Sequence, residues 1–264
     1  MNNTFNIKRF WQLFKKVLLE RPVQMFGVTG LMLAATLIIY VVCKSLTGFG
    51  AAQNISFIWG LVGGGCYFAS FIFSYFSSNA SGSSFLTLPA SHFEKWLCGI
   101  LMAGILYPCI FLLFFRVVDA SMVTLYHNSL DPGSPFYKNQ YESVFIFRFD
   151  GIVALRVYSL FLFFSGAMLS APLFFNKVGF IKVALFICAL FIVSFGLNWL
   201  FAKMLFGDIN DAAPFNHVTI PVGKEEGAIE LPEITGKIYR YSLGYVIPII
   251  LWGLAFIRLR EKEF

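Results

Sequence analysis

The chain has 264 residues, of which 58% are hydrophobic, 19% aromatic and only 13% charged, and its mean hydropathy is +0.74. A soluble domain carries roughly a quarter charged residues, so this composition excludes one and indicates a polytopic membrane protein. The formal charge of +6 sits beside apolar runs, which points to anionic lipid head groups rather than nucleic acid.

Residues 1–22 read as an interfacial amphipathic helix. Ile7, Phe10, Trp11, Phe14, Val17 and Leu18 recur at helical spacing, while Lys8, Arg9, Gln12, Lys15 and Lys16 fill the other face. Residues 23–264 read as one membrane domain with six spans: 23–42, 56–76, 97–118, 152–174, 183–205 and 241–257. Each approaches the roughly 20 residues needed to cross a hydrocarbon core. The first is too long for a signal-peptide core and lacks a small-residue cleavage site, so it is expected to be retained. Within the second, Gly60 and Gly64, backed by Gly63 and Gly65, form a G-x-x-x-G pattern expected to pack inside the chain.

Ser77 to Ser84 reads as a flexible lead-in, and the segment that follows, Phe85 to Trp96, is amphipathic. Pro89 stands in what reads as a first turn, and Ser91 and Glu94 stand at capping-box spacing before a restarted helix. Losing that cap is expected to cost about 1 kcal/mol. Pro108 and Pro248 interrupt the third and sixth spans, where kinks are expected.

The long loops 119–150 and 206–240 carry most of the acids. The dense N-terminal cluster of bases and the even span count place both termini in the cytoplasm. Segment 83–96 is then cytoplasmic, and the two long loops are outside. Arg116, Arg156 and Lys203 fall toward the outer leaflet. They snorkel outward, or Arg116 and Arg156 pair with Asp150 and Asp119 across neighbouring helices, or the three form a cationic rim for the head group of an amphiphilic substrate.

Catalytic chemistry is absent from the pattern. There is no G-x-x-x-x-G-K-[ST] to cradle ATP phosphates and no H-E-x-x-H, and His92, His127 and His217 are far apart. Asp150 to Arg156 misses the D-G-x-x-A-R opening of the CDP-alcohol phosphotransferases by one residue. Cys43, Cys66, Cys98, Cys109 and Cys188 include no C-x-x-C and read as buried thiols. No catalytic, cofactor-binding or metal-ligating residue is assigned, and the chain is not expected to be an enzyme.

Leu88-Pro89-Ala90-Ser91-His92-Phe93-Glu94-Lys95-Trp96 resembles the L-P-[AV]-S-x-x-E-K stretch of small bacterial ABC-2 type transporter permeases. The ending Ala255 to Phe264 is similar to their basic R-L-x-E-K terminus. The resemblance implies an all-α, six-span permease of the bacterial inner membrane. It further implies an exporter subunit, paired with a second permease subunit as homo- or heterodimer and surrounded by membrane lipids. A separate ATPase subunit, which holds ATP and magnesium, would dock on a coupling helix built from Phe85, Leu86, Leu88, Pro89, Ser91, His92, Glu94 and Lys95. Phe85, Leu86, Leu88, His92 and Glu94 would be its exposed contacts. Loop 206–240 is polar and acidic and departs from the apolar re-entrant helices of that family. The alternative is a polytopic scaffold or assembly protein that holds a non-ATPase partner on the same segment.

Overall fold

A computed structural model describes residues 5–262 except 78, 176–178, 208, 214–216, 223–224 and 231–232. Lys177, Asp208, Pro214 and Pro232, and the terminal residues beyond 262, lie outside the described residues. Among the described residues six helices are long and apolar enough to cross a membrane, as expected for an all-α multi-pass protein.

The chain opens with α1 (Ile7–Glu20), whose Asn6 cap accepts hydrogen bonds from the Lys8 and Arg9 amides. The first two spans, α2 (Met25–Thr47) and α3 (Phe49–Ile72), form a tight hairpin turned by one residue, Gly48. Its φ of +91° lies where a side chain is strained, so glycine suits the reversal. The expected first loop shrinks accordingly, because the helix persists through Lys44, Ser45 and Thr47.

After a short 3-10 turn at Ser74–Ser77 comes α4 (Asn79–Leu86), a helix where a flexible lead-in was expected. Phe85 is buried against Tyr75, with centroids 4.8 Å apart, and against Phe76 at 5.7 Å. That burial outweighs the weak helix propensity of the serines. The third span, α5 (His92–Asn128), is one helix of 37 residues. It runs about ten residues beyond the expected end at 118 and carries Asp119 with it, so Asp119 is not a loop residue. A short helix, α6 (Tyr137–Ser143), precedes the spans α7 (Ile152–Phe174) and α8 (Gly179–Phe206). Then follow β1 (Asp211–Ala213), β2 (His217–Val222) and β3 (Glu225–Glu230), an antiparallel sheet in the order β1-β2-β3. The last span, α9, covers Gly236–Glu261.

The prolines leave a mark one turn upstream. Wide π-turns occupy Leu101–Leu106 just before Pro108, and Ser242–Val246 just before Pro248. Proline lacks an N–H and crowds the carbonyl four residues back, so the preceding turn widens while the helix continues. Two further π-turns, Val23–Gly27 just after Pro22 and Trp59–Gly63 in the glycine-rich stretch of α3, have no proline one turn downstream.

The core gathers around α7, which buries Ala154, Val157, Phe161 and everything from Ser165 to Leu173. The glycine pattern of α3 serves this interior: a Cβ on Gly60 would meet Phe111 at 2.2 Å, and one on Gly64 the Tyr107 hydroxyl at 2.0 Å. Tyr107 in turn donates to the Gly60 carbonyl at 2.6 Å. The close approach is therefore between spans of this chain. Trp252 of α9 lies across Gly104 and Gly166, donates to the Leu162 carbonyl at 3.0 Å, and accepts from Trp96 at 2.8 Å through its own carbonyl. By contrast α8 buries only Ile187 and Ala202.

Candidate functional site

Both terminal segments meet at the start of α5. Phe93 contacts Phe5 at 6.2 Å and Phe256 at 6.3 Å. Between α4 and α5 the chain makes a short excursion, Thr87 to Ser91. It is held by the Thr87 amide on the Ser83 carbonyl (3.0 Å) and the Ala90 amide on the Leu88 carbonyl (2.7 Å).

The capping box forms as its spacing requires. The Glu94 amide donates to Ser91 Oγ at 3.2 Å, and the Ser91 amide donates to Glu94 Oε2 at 2.8 Å. Glu94 does more than cap. Fully buried, it also accepts from the Asn6 amide at 2.8 Å, from Arg9 Nε at 2.9 Å and from Arg9 Nη2 at 2.7 Å. Its hydrogen bond holds the Arg9 guanidinium above its usual range. The carboxylate is thus a knot between the N-terminus of α1 and the N-terminus of α5, where helix dipoles also favour negative charge.

The next residue, Lys95, turns inward. Only 2% exposed, it donates from Nζ to the Leu86 carbonyl at 2.8 Å and lies 5.7 Å over the Phe85 ring. A cation on the last carbonyl of α4 satisfies a group that the helix leaves open. The far end of α1 is fastened too: Tyr75 donates to Glu20 at 3.1 Å, and Arg21 sits 4.2 Å over the Tyr75 ring and bonds Ser74 at 3.3 Å. Burial, then the charge of Glu20, pushes the Tyr75 phenol up to about 12.

Sequence reasoning expected Phe85, Leu86, Leu88, His92 and Glu94 as exposed contacts. Phe85 and Glu94 are instead buried, as is Lys95, and together they build the segment from inside. Leu86, Leu88, Ser91 and His92 are half-buried, while Thr87, Pro89 and Phe93 are exposed. Asn6 and Arg9 were missed as partners of Glu94. The one signal for them was the helix-start pattern at Asn6.

The exposed tip borders a cleft of about 120 Å³ between α1 and Leu88–Ala90, lined by Arg9, Gln12, Leu13, Lys16, Leu88, Pro89 and Ala90. Phe10, Leu13 and Val17 bury one side of α1, while Ile7 and Trp11 remain exposed on a second. Gln12 and Lys16 stand roughly 100–180° around the helix from Ile7 and Trp11. The cleft therefore opens away from the apolar exposed edge of α1, on its basic side.

Arg116, Arg156 and Lys203, expected to form a cationic rim, are not brought together by any contact among the described residues. Arg116 donates to the Phe147 carbonyl at 3.1 Å and stacks 4.2 Å over Phe149, Lys203 lies 5.0 Å over Trp199, and Arg156 is exposed on α7. The alternative acid pairings fail as well. Asp150 bonds Arg148, which holds its carboxyl below the usual range. Asp119 is fully buried and accepts from Tyr40 at 2.7 Å, Gln53 at 2.8 Å and the Phe147 amide at 2.6 Å. It pins the non-helical stretch 144–149 to three spans.

All five cysteines are free thiols; Cys66 and Cys98 are buried, Cys43 is half-buried, and Cys109 and Cys188 lie exposed on the outside of their helices. No metal-binding cluster occurs among the described residues. Comparison with protein-family models, curated proteins and solved structures gives no match for the chain.

Proposed function

We propose that this chain is the membrane-spanning permease subunit of an ABC-2 type exporter, driven by a separate ATPase that docks on the tip between α4 and α5. The carrying observation is the construction of that tip. A short turn is capped at Ser91, fixed from within by Phe85, Glu94 and Lys95, and strapped along one side by α1. A partner that pushed on Thr87 or Pro89 would move α5 rather than bend a loop, because the joint has little slack. The cleft beside it offers an apolar floor (Leu13, Leu88, Ala90) under basic rims (Arg9, Lys16), suited to a water-soluble partner with acidic and apolar contacts. In this reading both termini are cytoplasmic, two permease copies or related subunits pair, and ATP and magnesium belong to the partner.

The test uses an ATPase bearing a Walker motif encoded beside this chain, co-expressed with it. Pro89→Asp changes an exposed residue outside the buried knot, so insertion and the unfolding midpoint in detergent should match the unmodified protein. Association with the ATPase and stimulation of its hydrolysis should be lost. Unchanged association in that variant would mean the tip is only a connector. A failure of every such ATPase to bind the unmodified chain would favour the scaffold reading.

A further inference from the structure

At the end of α7 three consecutive residues each hold a cation from a different place in the chain. The Leu173 carbonyl accepts from Lys262 Nζ at 3.1 Å, the Phe174 ring carries the Arg258 guanidinium at 5.3 Å, and the Phe175 ring carries Lys182 Nζ at 5.3 Å. The negative end of the α7 dipole accounts for attraction of the first. It does not account for Arg258. Its Nη1 donates to Glu261 at 3.3 Å, yet its Nε is buried with no acceptor among the described residues. A buried donor without an acceptor is uncommon enough to require a reason. Lys262 sits close enough to Arg258 to feel its charge, and burial followed by that repulsion draws its ammonium below the usual range.

The surroundings are amphipathic in the sense a lipid requires. Phe174 and Phe175 are 47% and 38% exposed, and Ile181 and Ile257 are each 52% exposed on the adjoining turns of α8 and α9. Basic pockets between the ends of membrane helices recognise lipid phosphates. We propose that this end of α7, α8 and α9 is a binding site for the phosphate group of an anionic lipid. Arg258 and Lys262 grip the phosphate, Lys182 flanks it, and the acyl chains lie along the exposed aromatic and aliphatic surface. This site is independent of the docking tip.

The full chain, purified and delipidated in dodecyl maltoside, should be titrated with phosphatidylglycerol or with phosphatidylcholine of identical chains and followed by native mass spectrometry. One phosphatidylglycerol should be retained at least tenfold more tightly than phosphatidylcholine. Arg258→Gln with Lys262→Gln should abolish that preference, and Lys182→Gln should reduce it about threefold. Lys138→Gln with Arg148→Gln removes the same charge from residues 138 and 148, whose ion pairs are exposed, and should leave it unchanged. Millimolar inorganic phosphate alone should not displace the lipid. Equal retention of both lipids would overturn the proposal, as would an equal loss in the Lys138/Arg148 control or complete displacement by phosphate. If the double variant does not fold, unaltered lipid preference in Lys182→Gln overturns it instead.

Discussion

Replacing Glu94 separates a local cap from a tertiary knot. If the carboxylate only completed a capping box, Glu94→Ala would cost about 1 kcal/mol, as for other lost caps. In the structure it also accepts from the Asn6 amide, 88 residues away in sequence, and from Arg9. An amide hydrogen bond to a charged acceptor is worth about 1.5–3 kcal/mol. Removing the acceptor of both Ser91 and Asn6 amides, with water partly replacing it at the exposed Asn6, should therefore cost about 3 kcal/mol. The Arg9 side of the pair adds little, since its guanidinium meets water and is screened. The loss should appear as detachment of α1. Of that loss only the Asn6 share, about 2 kcal/mol, falls on the attachment of α1, so its opening equilibrium should rise about thirtyfold, read as faster tryptic cleavage at Lys15 and Lys16 when opening is rapid. Ser91→Ala, which removes only the cap, should cost about 1 kcal/mol and barely change cleavage. Matching stability and cleavage in Glu94→Ala and Ser91→Ala would refute the knot.

Asp119→Ala should lower stability in detergent unfolding by about 3 kcal/mol, because it strands the buried Tyr40 hydroxyl and Phe147 amide; faster amide exchange at 144–149 should accompany it, and unfolding like the unmodified protein would contradict the assignment. Gly64→Ala, with its Cβ 2.0 Å from the Tyr107 hydroxyl, should cost about 2 kcal/mol by overpacking, whereas Gly30→Ala, which meets nothing within 4 Å, should not destabilise. The proposed orientation predicts that single cysteines at Asn128 and Gly227, in a background lacking the native five, react with an impermeant thiol reagent outside intact cells, while cysteines at Ser81 and Glu263 do not; outside labelling of Ser81 would reverse the orientation.

What could be read in advance follows the range of the interaction. The spans are legible because burial in lipid demands a run of about 20 apolar residues. The Ser91–Glu94 cap is legible because both partners lie within one helical turn. Arg9 and Asn6 are not legible as partners of Glu94, since nothing local to residue 94 specifies a contact more than eighty residues upstream. Asp119 reads as a loop residue because a carboxylate ends an apolar run. Its hydrogen-bond donors include Tyr40 and Gln53 on two other spans, so composition alone could not keep it inside. The sheet in 206–240 did leave a trace: Val218, Ile220 and Val222 alternate with His217, Thr219 and Pro221 at the period of a strand. The helix at Asn79–Leu86 left none, because its stability comes from where Phe85 lands.

The unequal division of α5 has a mechanical consequence. Its wide turn at Leu101–Leu106 separates 9 residues on the side of the tip, His92–Ile100, from 22 residues beyond, Tyr107–Asn128. At a rise of about 1.5 Å per residue the two arms are roughly 14 and 33 Å long. A rigid rod pivoting between such arms multiplies displacement and divides force by a little more than two. A shift of about 1 Å imposed at His92 would thus carry the Asn128 end about 2 Å, and with it the stretch 144–149 that Asp119 holds.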